Sequence, residues 1–197
     1  MSTTKKKLHA DVTIIGSGIA GGILAAILAR NGLDVILIDK LKHPKFAIGE
    51  STIPETALLF QFLASRFNVP ELAEISTFQK GRTNLPLSGI KRNFGFMYHS
   101  DSQFSHAFSH QLGAANDEHA INHFFRQEVD HFVAKTAVLY GCHLYEGVGI
   151  TDVSIDNDGA TLSIDDGNSI HCDYVVDAGG GNRYCPPSIN SVIRNLL

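Results

Sequence analysis

Three of the five glycines between Asp11 and Lys40 constrain this chain more than any other feature it has. The stretch DVTIIGSGIAGGILAAILARNGLDVILIDK reads as a buried strand, a glycine turn, a helix, a short loop and a second buried strand closing on an acid. A dinucleotide-binding βαβ unit requires that order. Gly16 lets the chain turn sharply off the first strand, Gly18 leaves room for a pyrophosphate against the backbone, and Gly21 lets the helix lie close to the sheet. The helix N-terminus then offers unpaired amides near Ile19 and Ala20, with a partial positive charge, to the phosphates. Asp39 follows Gly21 by eighteen residues, where a carboxylate can accept hydrogen bonds from a ribose diol. An acid there disfavours a 2′-phosphate, so FAD or NAD is expected before NADP. The competing reading is a glycine-rich packing turn in an unrelated α/β protein; the strand before, the helix after and the acid beyond separate the two.

A chain of 197 residues can bury a proper core, and 44% hydrophobic with 18% charged residues argues against disorder. A net charge of -4, with one basic cluster at Lys5 to Lys7, gives no electrostatic reason to expect nucleic acid. The apolar run from Ile19 to Ala29 follows a strand and the phosphate-binding glycines, and it is too short to cross a bilayer. Cys142, Cys172 and Cys185 are an odd set without a CxxC spacing, which suits a reducing cytoplasm better than a disulfide framework.

Residues 1–10 read as a polar, frayed leader. After the second strand, Pro44 and Gly49 mark a loop, and Thr52 with Glu55 has the spacing of a capping box. The helix it opens is expected to reach about Phe67, with Leu58, Phe62 and Leu63 on its buried side, followed by a weaker helix over Glu71 to Ile75. Residues 77–88 read as an irregular excursion, Gly89 to His99 as one alternating strand with Phe94, Phe96 and Tyr98 on a shared face, and residues 100–116 as a loop. A long helix is expected from Asp117 to Tyr140 with Gly141 as its stop. A short strand at 143–146, a strand at 148–155 and return strands at 160–164 and 169–172 then lead to the apolar strand YVVDAGG, so that a small antiparallel meander sits between two strands of the main sheet.

The βαβ unit, the AIGEST loop, the arginine-bearing long helix and the DYVVDAGG strand together resemble the FAD-dependent oxidoreductases of the glutathione-reductase-like class. The resemblance is nearer to the branch of flavin-dependent halogenases, the tryptophan type included, and geranylgeranyl-reductase-like enzymes, and it covers residues 11 to about 183. It implies a Rossmann-like α/β FAD-binding domain with a small meander, FAD as cofactor, and a loop at Gly49, Glu50 and Ser51 lying along the flavin. Arg126 would reach the cofactor from the long helix, and Asp177 would stand near the FAD at its strand end. The implied cofactor-binding set is Gly16, Gly18, Ala20, Gly21, Asp39, Lys40, Ser51, Arg126, Val148 and Asp177. Read without the resemblance, Glu50 is a cap or a surface charge, and Arg126 pairs with Glu128 or Asp130 in solvent.

Halogenases of this branch use a lysine to carry the oxidised halide to the substrate. Lys91, in the pattern K-x-x-F-x-F with Phe94 and Phe96, is the candidate; Lys80 competes, and a lysine snorkelling from a strand edge is the plain alternative. The halogenase segment W-x-W-x-I-P is absent, because the chain has no tryptophan. Either the chain belongs to a neighbouring oxidoreductase subgroup or it stops before that segment, and its length favours the second; the expectation is the N-terminal part of such an enzyme, with a leader at 1–10, the FAD-binding domain at 11–183 and a divergent tail at 184–197. Its partners would be a small-molecule substrate and a separate flavin reductase. A flavin monooxygenase, a double-bond reductase on the same scaffold, and an inactive nucleotide-binding fragment are the rival readings. His119 and His123 sit four apart, with His131 two turns on; solvent-facing histidines are expected rather than a metal site.

Overall fold

The computed structural model describes residues 7–100, 103–113, 116 and 120–180 of the chain. They divide into two compact units, residues 1–45 with 133–197 and residues 46–132.

In the first unit, β1 (Lys7–Ile15) leads into α1 (Ile19–Arg30) and β2 (Val35–Asp39). Every residue of β2 is buried, the mark of a strand covered on both faces. The strand β1 begins at Lys7, four residues inside the stretch expected to be leader. Lys7 to Ala10 find partners there, in parallel register with Ser169 to Cys172. No short-range signal in the sequence announces that pairing.

The second unit carries α2 (Pro54–Phe67), α3 (Glu71–Glu74), α4 (Phe78–Gly81), β3 (Gly89–Lys91), β4 (Asn93–Ser100), β5 (Gln103–Gly113) and β6 (Ile121–His123). The helix α5 (Arg126–Leu139) begins in the second unit and ends in the first, which continues with β7 (His143–Glu146), β8 (Ile150–Asp156), β9 (Gly159–Ile164) and β10 (Ser169–Asp177).

The sheet of the first unit has the order β7-β2-β1-β10-β9-β8. Its first four strands run parallel, and β9 and β8 run antiparallel beyond them. The expected meander and final strand are one structure: β10 pairs with β9 through Ser169 to Cys172 and with β1 along its length to Asp177. Burying one strand against two neighbours joins the meander to the main sheet without an extra edge. Its apolar side is packed around Ala10, Ile38, Val153, Leu162 and Ile170.

The helix α1 is buried nearly all round and is built of small residues for that reason. A Cβ on Gly22 would stand 2.7 Å from Val133 Cγ2 and 3.3 Å from the Ala134 amide nitrogen, so α1 and α5 meet at near-backbone distance. Gly22→Ala is expected to destabilise by about 1–2 kcal/mol. The gain of about 1 kcal/mol in helix propensity is smaller than the cost of overpacking against a stiff β-branched neighbour. Thermal or urea unfolding reads this directly, and a variant more stable than the parent would contradict the close packing.

Several expectations for the second unit change. The helix α2 has the expected span but buries Ala57, Phe60 and Ala64, while Leu58 is 65% and Phe62 59% exposed. The phenyl ring of Phe60 packs 6.2 Å from that of Phe124, and the alanines on its face let the backbone approach, which rotates the larger apolar residues outward. No capping box forms: the N-cap is Ile53, without a side-chain cap, and Pro54 opens the helix. The excursion at 77–88 contains α4, capped by Thr77.

The expected strand at 89–99 is split between β3 and β4. The expected loop at 100–116 contains β5, which pairs antiparallel with β4. Serines and histidines gave that segment a loop-like composition, but an antiparallel neighbour supplies the hydrogen bonds that composition does not forecast. The long helix begins at Arg126, because Ile121 to His123 pair with β3 instead. Here cross-strand bonding overrides helical spacing.

Candidate functional site

The glycine turn, Asp39 and Asp177 all lie at the carboxyl ends of the parallel strands β1, β2 and β10, where ligands bind in open α/β sheets. Gly16, at φ +103°, accepts no side chain: a Cβ would stand 2.5 Å from the Ala178 carbonyl oxygen. A Cβ on Gly21 would stand 1.9 Å from the Gly16 carbonyl oxygen, so the first turn of α1 closes directly onto the turn before it. Gly18 is the N-cap of α1 with no side chain across it, and the first turn of the helix holds no acid. Ala20 is exposed in that turn. A diphosphate can therefore reach the helix amides unopposed.

Asp39 is tied to this turn. The Ser17 amide and hydroxyl donate to its Oδ2 at 2.7 and 3.0 Å, and the Leu41 amide donates to Oδ1 at 2.9 Å. The ammonium of Lys45 donates to Oδ2 as well, and reaches Ser17 Oγ at 3.1 Å. Burial pushes the Asp39 carboxyl up, but the Lys45 hydrogen bond, the two amides and the Lys45 charge outweigh it and hold the group below its ordinary value of 3.8.

A carboxyl lowered in the folded state contributes stability that is fully present above its unfolded value and is lost as pH falls through the folded value. Asp39→Asn is therefore expected to cost about 2 kcal/mol at neutral pH. It should also flatten the loss of stability on acidification below 3.8, as read by denaturant unfolding across pH. Equal acid sensitivity in parent and variant would refute this.

Lys40 is exposed, and Lys45 is the lysine that faces Asp39. The loop carrying Lys45 is held further along by His43, whose amide and Nδ1 bond Glu146 at 2.9 and 2.6 Å. The amide of Val148 donates to the Asp39 carbonyl at 3.1 Å, and its side chain borders an apolar cavity of about 160 Å³ with Ile38 and Tyr145. Asp177 is exposed at the end of β10 and accepts from the Gly179 amide at 3.0 Å. Neither Ser17 nor Lys45 was an expected site residue. The small hydroxyl between two turn glycines was a readable signal for the first; Lys45 depends on the path around Pro44, which has none.

In the second unit the Gly49–Thr52 loop is fixed at several points. Arg126 grips Asp130 in a bidentate pair at 2.8 and 3.0 Å and donates to the carbonyls of Ile48 and Gly49. Asp130 is fully buried, so this is an internal clamp and not a solvent pair. Glu50 is exposed, and its carbonyl accepts the Phe124 amide at 2.7 Å. Ser51 is exposed and bridges to His123. Thr52 is locked to Asn122: its amide donates to the Asn122 carbonyl at 3.1 Å and its hydroxyl to the same carbonyl at 2.7 Å.

Lys91, 8% exposed, donates from Nζ to the Thr52 carbonyl at 2.6 Å, with its ammonium 5.1 Å from the Phe94 ring centre. It is not a snorkelling edge lysine. Lys80 is exposed.

Among the described residues no cluster of three His, Cys, Asp or Glu is placed to hold a metal, and no helix is long and apolar enough to cross a membrane. His123 lies in β6 rather than on a helix, and His119 falls outside the described residues, as do the tail at 184–197 and Cys185. Cys142 and Cys172 are buried free thiols. Burial pushes the Cys142 thiol up to about 12 and raises that of Cys172.

A parallel sheet ending in a glycine turn, an open helix N-terminus and an acid at the end of the second strand defines a dinucleotide-binding α/β domain. The chain matches the FAD binding domain family over residues 9–191 and belongs to that family. It is 38% identical over 172 residues to the tetracycline 7-halogenase of Kitasatospora aureofaciens, covering 86% of this chain and 31% of that protein. It is 36% identical over 179 residues to the monodechloroaminopyrrolnitrin halogenase PrnC of Pseudomonas fluorescens, covering 87% and 31%. The solved halogenase PltM in complex with phloroglucinol and FAD superposes with a TM-score of 0.77 at 31% identity, over 86% of this chain and 34% of that one. The chain thus spans about a third of the length of these relatives. The residues present fit FAD: Gly18 leaves the N-terminus of α1 open with no side chain across it, and Asp39 stands hydrogen-bonded to the residue between the first two glycines of the turn.

Proposed function

We propose that this chain is the FAD-binding portion of a flavin-dependent halogenase that uses reduced FAD, oxygen and halide on a small organic substrate. The observation that carries the proposal is the buried Lys91 ammonium on the Thr52 carbonyl, next to the loop in which Arg126 fixes Gly49. When bound, FAD supplies the redox chemistry; the protein binds and orients it, excludes water and places the amine.

In this reading Gly16, Gly18, Ala20 and Gly21 take the diphosphate, Asp39 takes the ribose, and Val148 and Asp177 complete the cofactor contacts of the first unit; in the second unit Ser51 is the residue the resemblance assigns to the flavin. Arg126 acts by holding the Gly49 carbonyl. Lys91 keeps one proton donor on Thr52 and has two more N–H groups for an oxidised halide. The relatives named as halogenases support the same assignment, and a separate flavin reductase would supply the reduced cofactor.

The test is product formation by the full polypeptide with chemically reduced FAD, oxygen and an electron-rich aromatic, with and without chloride or bromide. Halide-dependent product is expected. Oxygenated product without halide would assign a monooxygenase, and saturation of an alkene a reductase. Failure of the purified protein to acquire flavin absorbance would assign an inactive fragment.

A further inference from the structure

The Oδ2 atom of Asp39 is already fully occupied by the protein itself. It accepts from the Ser17 amide, the Ser17 hydroxyl and the Lys45 ammonium, and Oδ1 accepts from the Leu41 amide. Each carboxylate oxygen offers about two lone-pair sites, so Oδ1 can still take one hydroxyl of a ribose diol, but the second hydroxyl can reach Oδ2 only if a donor leaves. Two of the four donors are backbone amides of the turns that shape the site, and these cannot leave without unwinding them. The Ser17 hydroxyl belongs to a fully buried residue inside the glycine turn. Lys45 alone sits on a long side chain outside regular structure, in the loop after β2.

Its destination is close by. Lys45 Nζ lies 3.1 Å from Ser17 Oγ, and Ser17 stands between Gly16 and Gly18, against which the diphosphate is to lie. An ammonium that gives up one carboxylate oxygen there meets two phosphate charges within the same few ångströms. No acid in the first turn of α1 competes for it.

We propose that Lys45 covers the ribose acceptor before a dinucleotide binds and changes partner, from the Asp39 carboxylate to the incoming diphosphate, as the ribose takes its place. The exchange makes the site demand both groups at once. To engage both hydroxyls, a nucleoside must expel the ammonium with nothing to receive it, whereas a nucleoside diphosphate replaces one ionic hydrogen bond with another. The inference rests on the dinucleotide site alone and stands whether or not the enzyme proves to be a halogenase.

The experiment compares adenosine, ADP and FAD as ligands of the full chain and of Lys45→Met, which keeps the unbranched apolar stem and removes the charge. Binding is followed by calorimetry for FAD and by displacement of FAD for the fragments. Loss of one charge-assisted hydrogen bond corresponds to about tenfold in affinity. FAD and ADP should therefore bind about tenfold more weakly to Lys45→Met, and adenosine more tightly than to the parent. Opposite signs for the two fragments are the signature.

Equal weakening of ADP and adenosine would overturn the proposal, since Lys45 would then only shape the site; unchanged ADP affinity, or adenosine that fails to displace FAD from Lys45→Met, would overturn it as well. Lys45→Arg should restore ADP binding while remaining charged, and circular dichroism melting confirms that each variant folds.

Discussion

Gly21→Ala is expected to lower the melting temperature by about 6–12 °C and to weaken FAD binding at least tenfold. The added Cβ would stand 1.9 Å from the Gly16 carbonyl oxygen and 3.1 Å from its carbon, and both are backbone atoms. No rotamer change relieves such a contact. Gly16 is itself held by its amide on the Ile38 carbonyl at 2.7 Å and by the approach of Ala178, so the turn cannot back away. The helix must move instead, and with it the amides that face the diphosphate.

Overpacking of this kind costs about 3 kcal/mol, at the upper end of its usual range, and a domain of this size shifts by about 2–4 °C per kcal/mol. Gly32→Ala is the control: Gly32 has φ +89° and nothing within 4 Å of a built Cβ, so only the left-handed strain of about 1–2 kcal/mol applies. FAD affinity should be untouched there. A Gly21→Ala protein that melts with the parent and binds FAD equally well would mean that α1 does not close on the glycine turn.

This turn was also the most legible part of the chain. The three glycines, the strand before them and Asp39 beyond determine one another over about thirty residues, and short-range patterns of that kind survive into the fold. The hydrogen bond from Ser17 to Asp39 is the local form of the same constraint. Elements that depend on distant partners were harder to read. Ile121 to His123 follow helical spacing with the residues after them, yet they become a strand because Gly89 to Lys91 offer a ladder. The segment at 103–113 is polar enough for a loop and becomes β5 because β4 lies beside it. Which side of α2 faces inward was set by the place of Phe124, not by the apolar count along the helix. The same holds for the sites: glycines and acids announce themselves, whereas Lys45 is recruited by the course of the backbone around Pro44.

Lys91→Met should abolish halogenated product in the full polypeptide while leaving FAD binding and oxidation of reduced FAD intact. The substitution fills the volume of the aliphatic stem, so β3 keeps its packing and its register with Ile121. What disappears is the ammonium. Its loss leaves the Thr52 carbonyl without that donor, at a cost of about 1–3 kcal/mol, and the Asn122 brace on the Thr52 amide and hydroxyl holds the loop in place meanwhile. A purely structural lysine would show the stability loss and little else. A lysine that receives the oxidised halide would show it together with loss of product and undiminished consumption of oxygen, because reduced FAD still reacts but nothing carries the halide onward. Lys91→Arg tests the point from the other side: it retains a cation for Thr52, but its longer planar guanidinium does not present the two free N–H groups where the compact ammonium does, so stability should return and product should not. Halogenated product at parental rates from Lys91→Met would remove Lys91 from the chemistry and return the role to Lys80 or to a residue outside this domain.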